Sequence, residues 1–268
     1  MLQKNVALYN HKMIRNEVVS EDEKKSLLDT LLLQCKTHND DSEYLRKEGA
    51  YQFPQFLLPT PEESQAEPSK KIRLITGELP KTSLLSNNAY ELEALRLLAL
   101  WNSDDTHISN IFTQTEERLL LTFFNDFRTD NEFPTASLVA LRFLNTYKPQ
   151  ETERMNSLLV KLIDHISTAK QRSDVPTFYF WLTLSELAAW SEVAREIIHK
   201  YSQELHQQFL KGWIVNPNNA DRYNPIRKYV IRNALSKLSE YSYMVDAEVY
   251  LSDDGRCYGT SKPVYERR

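Results

Sequence analysis

Hydrophobic and polar positions define two kinds of helical segment, which alternate along most of this chain. One kind is apolar nearly all round: residues 90–101, 135–147 and the run "TFYFWLTLSELAAW" from Thr177 to Trp190. The other kind carries a single stripe. In 116–127 the stripe is Leu120, Phe123, Phe124 and Phe127, and in 153–168 it is Met155, Leu158, Leu159, Leu162 and Ile166. In 190–210 it runs through Trp190, Val193, Ala194, Ile197, Tyr201, Leu205 and Phe209. A striped helix is covered on one side, whereas an apolar one must be covered on several.

The apolar helices begin near Asn88, Pro134, Pro176 and Pro225, at spacings of 46, 42 and 49 residues. Proline suits a first helical turn because the N–H it lacks has no intrahelical partner there. The stretch "NAYELEALRLLALW" (Asn88 to Trp101) also has an echo in "TASLVALRFLNTY" (Thr135 to Tyr147), which aligns Arg96 with Arg142. Two helices per period of 40 to 50 residues is the pattern of stacked helical hairpins. The expected fold is therefore all-α, with antiparallel helical hairpins in a repeat-like α/α array or compact bundle over residues 82–243.

The flanks read differently. Residues 1–58 form an N-terminal helical and extended region. Its "SEDEKKSLLDTLLLQC" opens with Ser20 and Glu23 at capping-box spacing and continues into a stripe of Leu28, Leu31, Leu32 and Cys35. Residues 59–81 form a Pro/Glu-rich linker ending in "KIRLITG", read as a short strand or extended segment. Residues 244–268 alternate around Val249 and Leu251 and then place Asp254–Gly255 at a hairpin turn. A short C-terminal β-hairpin or extended arm is expected there.

Composition narrows the function classes. Gly occurs only 5 times in 268 residues, too rarely for Gly-rich phosphate loops or a turn-dense β fold. The net charge of −4 lacks the basic excess of a nucleic-acid binder. Two cysteines far apart, Cys35 and Cys257, make no disulfide framework. No stretch approaches the 18 or so consecutive apolar residues that would span a bilayer. No membrane role is expected, and the expected location is cytoplasmic.

Candidate chemistry is sparse. The loop "NSDDTH" brings Asp104 and His107 together, a pairing that suits general acid–base work or a metal, although a polar turn with Asp104 or Asp105 capping the next helix is the simpler reading. Asp130, Asp174 and Asp221 precede apolar helices. If the repeat holds, such loops gather at one end of the array, where an α/α hydrolase would keep its acid and base. Helix-dipole complementarity also favours Asp at these positions. Arg96 and Arg142 fall on apolar helices, so each needs a carboxylate such as Glu93 or Glu91, or else faces a groove where it binds an anionic partner. Trp181 in "FYFWL" is a further candidate anchor. "RYNPIRKYVIRNALSK" interleaves Arg222, Arg227, Lys228, Arg232 and Lys237 with tyrosines. Those charges suit the solvent side of a helix whose core face is Ile231, Ala234, Leu235 and Leu238. No metal-ligand spacing, P-loop or nucleophile motif occurs, and no cofactor is implied.

Two functions are compatible with this pattern. The first is a non-enzymatic α-helical repeat-type protein that binds a protein or peptide partner through a groove, with Arg96, Arg142 and Trp181 as candidate anchors. The alternative is an α/α-type hydrolase or lyase acting on a polar substrate through loop carboxylates, with Asp104, His107, Asp130 and Asp174 as candidate catalytic groups.

Overall fold

The computed structural model describes residues 2–34, 72–80, 83–101, 106–119, 133–167 and 175–260. They divide into two compact units: Met1–Asn10, Val18–Ile72 and Leu79–Val175 in the first, and His11–Glu17, Arg73–Glu78 and Pro176–Arg268 in the second. That boundary falls inside the 82–243 span drawn from periodicity.

In the first unit, the early part of helix α1 (Leu2–Arg15) precedes α2 (Glu21–Gln34), α3 (Ser83–Trp101), α4 (Thr106–Leu119), α5 (Phe133–Tyr147) and α6 (Thr152–Ile166). The capping box forms as the spacing requires. Glu23 N–H donates to Ser20 Oγ at 3.3 Å, and Ser20 N–H donates back to Glu23 Oε2 at 3.0 Å. Two orphan donors at the start of α2 are thereby satisfied. Leu27 and Leu31 are the buried positions of α2: of the expected stripe Leu31 is buried, Leu28 and Leu32 are half-buried, and Cys35 lies outside the described residues.

Helix α3 packs on α5, with α2 beside α3 and both α4 and α6 beside α5. As their all-round apolar character required, every residue of α3 from Ala89 to Ala99 and of α5 from Ser137 to Leu144 is buried. All five stripe residues of α6 are buried as well. Helix α4 buries Ile108, Ile111 and Phe112; it covers 116–119 of the helix expected at 116–127, and Leu120 to Phe127 lie outside the described residues. Phe112, Phe143 and Tyr147 form an aromatic wedge between α4 and α5, with ring centroids 5.0 to 5.9 Å apart.

The second unit holds α7 (Thr177–Leu187), α8 (Glu192–Lys200), α9 (Ser202–Leu210), β1 (Trp213–Ile214), α10 (Asn224–Leu235), β2 (Glu248–Leu251) and β3 (Arg256–Thr260). Two 3-10 stretches, Ala220–Tyr223 and Ser239–Asp246, flank α10. The stripe over 190–210 belongs to two helices, because Tyr201, at φ −108° and ψ 9°, breaks the hydrogen-bond ladder between α8 and α9. Helix α10 is central: α7, α8, α9 and both β2 and β3 pack on it.

The sheet is antiparallel in the order β1-β3-β2. The hairpin forms where Asp254–Gly255 predicted it, with Gly255 at φ 74°. β1 is an addition that two residues could not announce. "KIRLITG" is not extended: Leu74 N–H donates to Glu78 O at 2.9 Å and Gly77 N–H to Leu74 O at 2.7 Å, which makes a tight turn. Gly77 has φ 81°, and a Cβ there would collide with the Tyr223 ring.

Candidate functional site

The interior of the first unit holds the two equivalent arginines. Arg142, 1% exposed, donates through Nη1 to Oε1 of the equally buried Glu93. Of the two environments open to it, Arg142 takes the carboxylate. Arg96 donates to Asn10 Oδ1 at 3.3 Å, and the Asn10 amide in turn donates to Val6 O at 2.9 Å. Trp181, in the second unit, is buried edge-to-face between Phe180 and Tyr201, at centroid distances of 5.1 and 5.7 Å. Asp104, Asp130 and Asp174 lie outside the described residues; so does the side chain of His107, whose backbone sits in the first turn of α4.

The basic residues of α10 turn inward, contrary to their expected solvent-facing place. Lys228 is fully buried, and its Nζ donates to three main-chain oxygens: Phe209 O at 2.6 Å, Lys211 O at 2.7 Å and Gln208 O at 3.0 Å. These belong to the last turn of α9 and the residue beyond it, the carbonyls that a helix cannot satisfy internally. The same ammonium lies 4.4 Å from the centroid of Trp213. Burial pulls its pKa down to about 8, against a smaller upward pull from Cys257. Arg232, also buried, donates to Ala247 O and Ile14 O at 3.4 Å each. Arg227 donates to Thr76 O at 3.0 Å. One helix thus ties four separate backbone segments together, and its charge is spent on carbonyls instead of a ligand.

The turn over 72–80 is a second internal device. Glu78 Oε1 and Oε2 accept the N–H groups of Phe178 and Tyr179 at 3.0 and 2.9 Å, capping α7 from a distant part of the chain. Thr76 Oγ1 donates to the same carboxylate at 2.8 Å. Burial raises the pKa of Glu78, and the hydrogen bonds from Thr76, Phe178 and Tyr179 hold it back. His11 Nε2 lies 2.6 Å from Ile75 O, and burial lowers its pKa.

The outer surface of the second unit has a different character. Along 239–251 three large apolar side chains face solvent: Tyr243 is 44% exposed, Val245 56% and Leu251 64%. Met244, between the first two, is fully buried and anchors the segment. Tyr243, Tyr241 and His206 cluster beside them, with centroids 5.4 to 6.5 Å apart, and the Tyr243 hydroxyl lies 3.3 Å from His206 Nε2. His199 Nδ1 meets Glu240 Oε1 at 2.7 Å on the same side. None of this was legible as a site, because a 3-10 segment obeys neither the period of 3.6 nor that of 2. The one available signal was the density of tyrosines in "EYSYMVDAEVYL".

The sheet borders this surface with an open edge. Ser252 N–H donates to Arg256 O at 2.8 Å, making 252/256 a hydrogen-bonded pair. Antiparallel pairing alternates, so in the register Tyr250↔Tyr258 and Glu248↔Thr260 the backbone of Tyr250 and Glu248 also faces β3. The N–H and C=O groups of Val249 and Leu251 therefore point away from β3, where the strand order places no further strand among the described residues.

Among the described residues no group of three His, Cys, Asp or Glu side chains is placed to hold a metal ion, and no helix is long and apolar enough to cross a membrane. No protein-family model matches the chain, and neither a curated protein nor a solved structure is significantly similar to it.

Proposed function

We propose that this chain is a non-enzymatic, repeat-type α/α protein that binds a protein or peptide partner, and that its second unit presents the binding surface. The repeat reading is supported by the pairing of buried helices, α3 on α5 and α7 on α10, which matches the order in which the period assigns them. A cytoplasmic setting belongs to the same proposal.

The observation that carries the binding reading is the run of Tyr243, Val245 and Leu251, exposed within nine residues of chain. Leaving such half-exposed side chains in water forgoes on the order of 1 kcal/mol apiece. Their grouping beside a Tyr/His cluster is the composition of an interface centre, where tyrosine is enriched. The cations of α10, by contrast, are committed internally. The groove expected from the helical array is replaced in this proposal by the surface over 239–251.

The test is site-directed photo-cross-linking in the source cell. A photoreactive residue at Val245 or Tyr243 should yield one discrete protein adduct, and one at Glu196, exposed on α8, should not. Absence of an adduct at both Val245 and Tyr243 refutes the reading.

A further inference from the structure

We propose that the open edge of β2 accepts an extended segment of a partner protein as a fourth strand, and that this segment has an apolar core flanked at both ends by lysine or arginine. The inference rests on the partner-binding reading above and specifies its mode.

Strand addition needs outward backbone groups, and Val249 and Leu251 supply two N–H donors and two C=O acceptors on one edge. It also needs side-chain anchors. Leu251 on the strand and Val245 just before it provide exposed apolar surface at the two ends of that edge.

Charge selects the occupant. Asp246 and Glu248 stand at the start of β2, and Asp253 and Asp254 stand just beyond its end. Asp254 accepts hydrogen bonds from the Tyr258 hydroxyl at 2.8 Å and Arg256 N–H at 3.0 Å, which lower its pKa and hold it ionised. Arg256 on β3 is the one cation in this stretch of chain. The four residues of β2 span roughly 13 Å at ~3.3 Å per residue, and a longer partner strand overhangs both ends. A six- to eight-residue strand with cations at its ends therefore meets acid at both ends in either direction. A second copy of this chain fits badly: two β2 edges paired antiparallel with Val249 opposite Leu251 bring Asp246 of each copy opposite Asp254 of the other. Like charges directly opposite destabilise such pairs.

The experiment uses the full chain and two fluorescent peptides, Lys-Lys-Val-Thr-Val-Thr-Lys-Lys and its counterpart with Glu at the four flanking positions. Fluorescence anisotropy should show at least about tenfold tighter binding of the Lys peptide, weakening as salt is raised from 50 to about 300 mM. Leu251→Pro removes an outward N–H without touching a β2–β3 hydrogen bond, and binding should fall at least about tenfold. If that variant folds poorly, the double substitution D246K/D253K leaves the backbone intact and should abolish the preference between the two peptides. Equal affinity of the wild-type chain for both peptides, no binding of either, or undiminished binding by a folded Leu251→Pro protein overturns the proposal. A Val245 cross-link that forms alongside any of these results leaves partner binding standing and removes only strand addition.

Discussion

Replacing Lys228 with Met keeps most of the side-chain volume and removes only the ammonium. Three main-chain oxygens then lose their donor, that of Phe209 buried and those of Gln208 and Lys211 half-buried. A buried acceptor left without a partner costs about 1 kcal/mol or more, giving about 3 kcal/mol for the three. The ammonium's own burial is unfavourable, and its relief returns several kcal/mol, which offsets most of that loss. Lys228→Met should therefore stay within about 1 kcal/mol of wild type at pH 7. Urea denaturation followed by tryptophan fluorescence reads this well, because the Trp213 ring lies 4.4 Å from Nζ. The pH dependence adds a second constraint. Burial lowers Lys228 from its usual 10.5 to about 8 in the fold. Between those values the folded chain binds fewer protons than the unfolded one, so this lysine makes wild-type stability rise as pH rises. Methionine has no proton to release. The gap between wild type and Lys228→Met should thus widen by a further 1 to 2 kcal/mol, approximately, from pH 8 to 10. A difference that stays constant from pH 7 to 10 refutes the assignment of Lys228 as a buried staple for the end of α9.

The other internal devices make comparable predictions. Glu78→Ala should cost about 2 kcal/mol by thermal or urea unfolding, through loss of the cap on the Phe178 and Tyr179 N–H groups. Because burial raises Glu78 in the fold, wild type should also lose stability as pH rises from the ordinary carboxyl range through that raised value, an increment the alanine variant should lack. Arg142→Met strands the Glu93 carboxylate in the interior of the first unit and should cost about 3 to 5 kcal/mol, whereas R142M combined with Glu93→Leu should recover most of it, as a double-mutant cycle would show.

What the sequence disclosed and what it hid divide along a physical line. Period and capping are local, so the prolines at 134, 176 and 225, the Ser20–Glu23 box and the Asp254–Gly255 turn each mark an element that forms. The need of Arg142 for a carboxylate followed from burial alone, and Glu93 was among the few acids within reach. The inward turn of Lys228 was legible in principle: it shares the i, i+3, i+7 face with Ile231 and Leu235, and reading charge as solvent exposure concealed that. Partners distant in sequence were not legible. Nothing in "RLITGEL" states that Glu78 caps a helix about 100 residues later, and no local pattern fixes the strand order that leaves β2 at an edge. The loop acids Asp104, Asp130 and Asp174 lie outside the described residues, and the surface over 239–251 emerged only once Met244 was seen buried between two exposed neighbours.

Amide hydrogen exchange along β2, read residue by residue by NMR, tests the central claim most directly. In the free protein the N–H groups of Val249 and Leu251 should exchange at least about tenfold faster than that of Tyr250, which faces β3. With the Lys-flanked peptide bound they should slow to the Tyr250 rate while Tyr250 itself stays constant. If Val249 and Leu251 are already protected in the free chain, or remain unprotected when peptide is bound, β2 is not the docking edge.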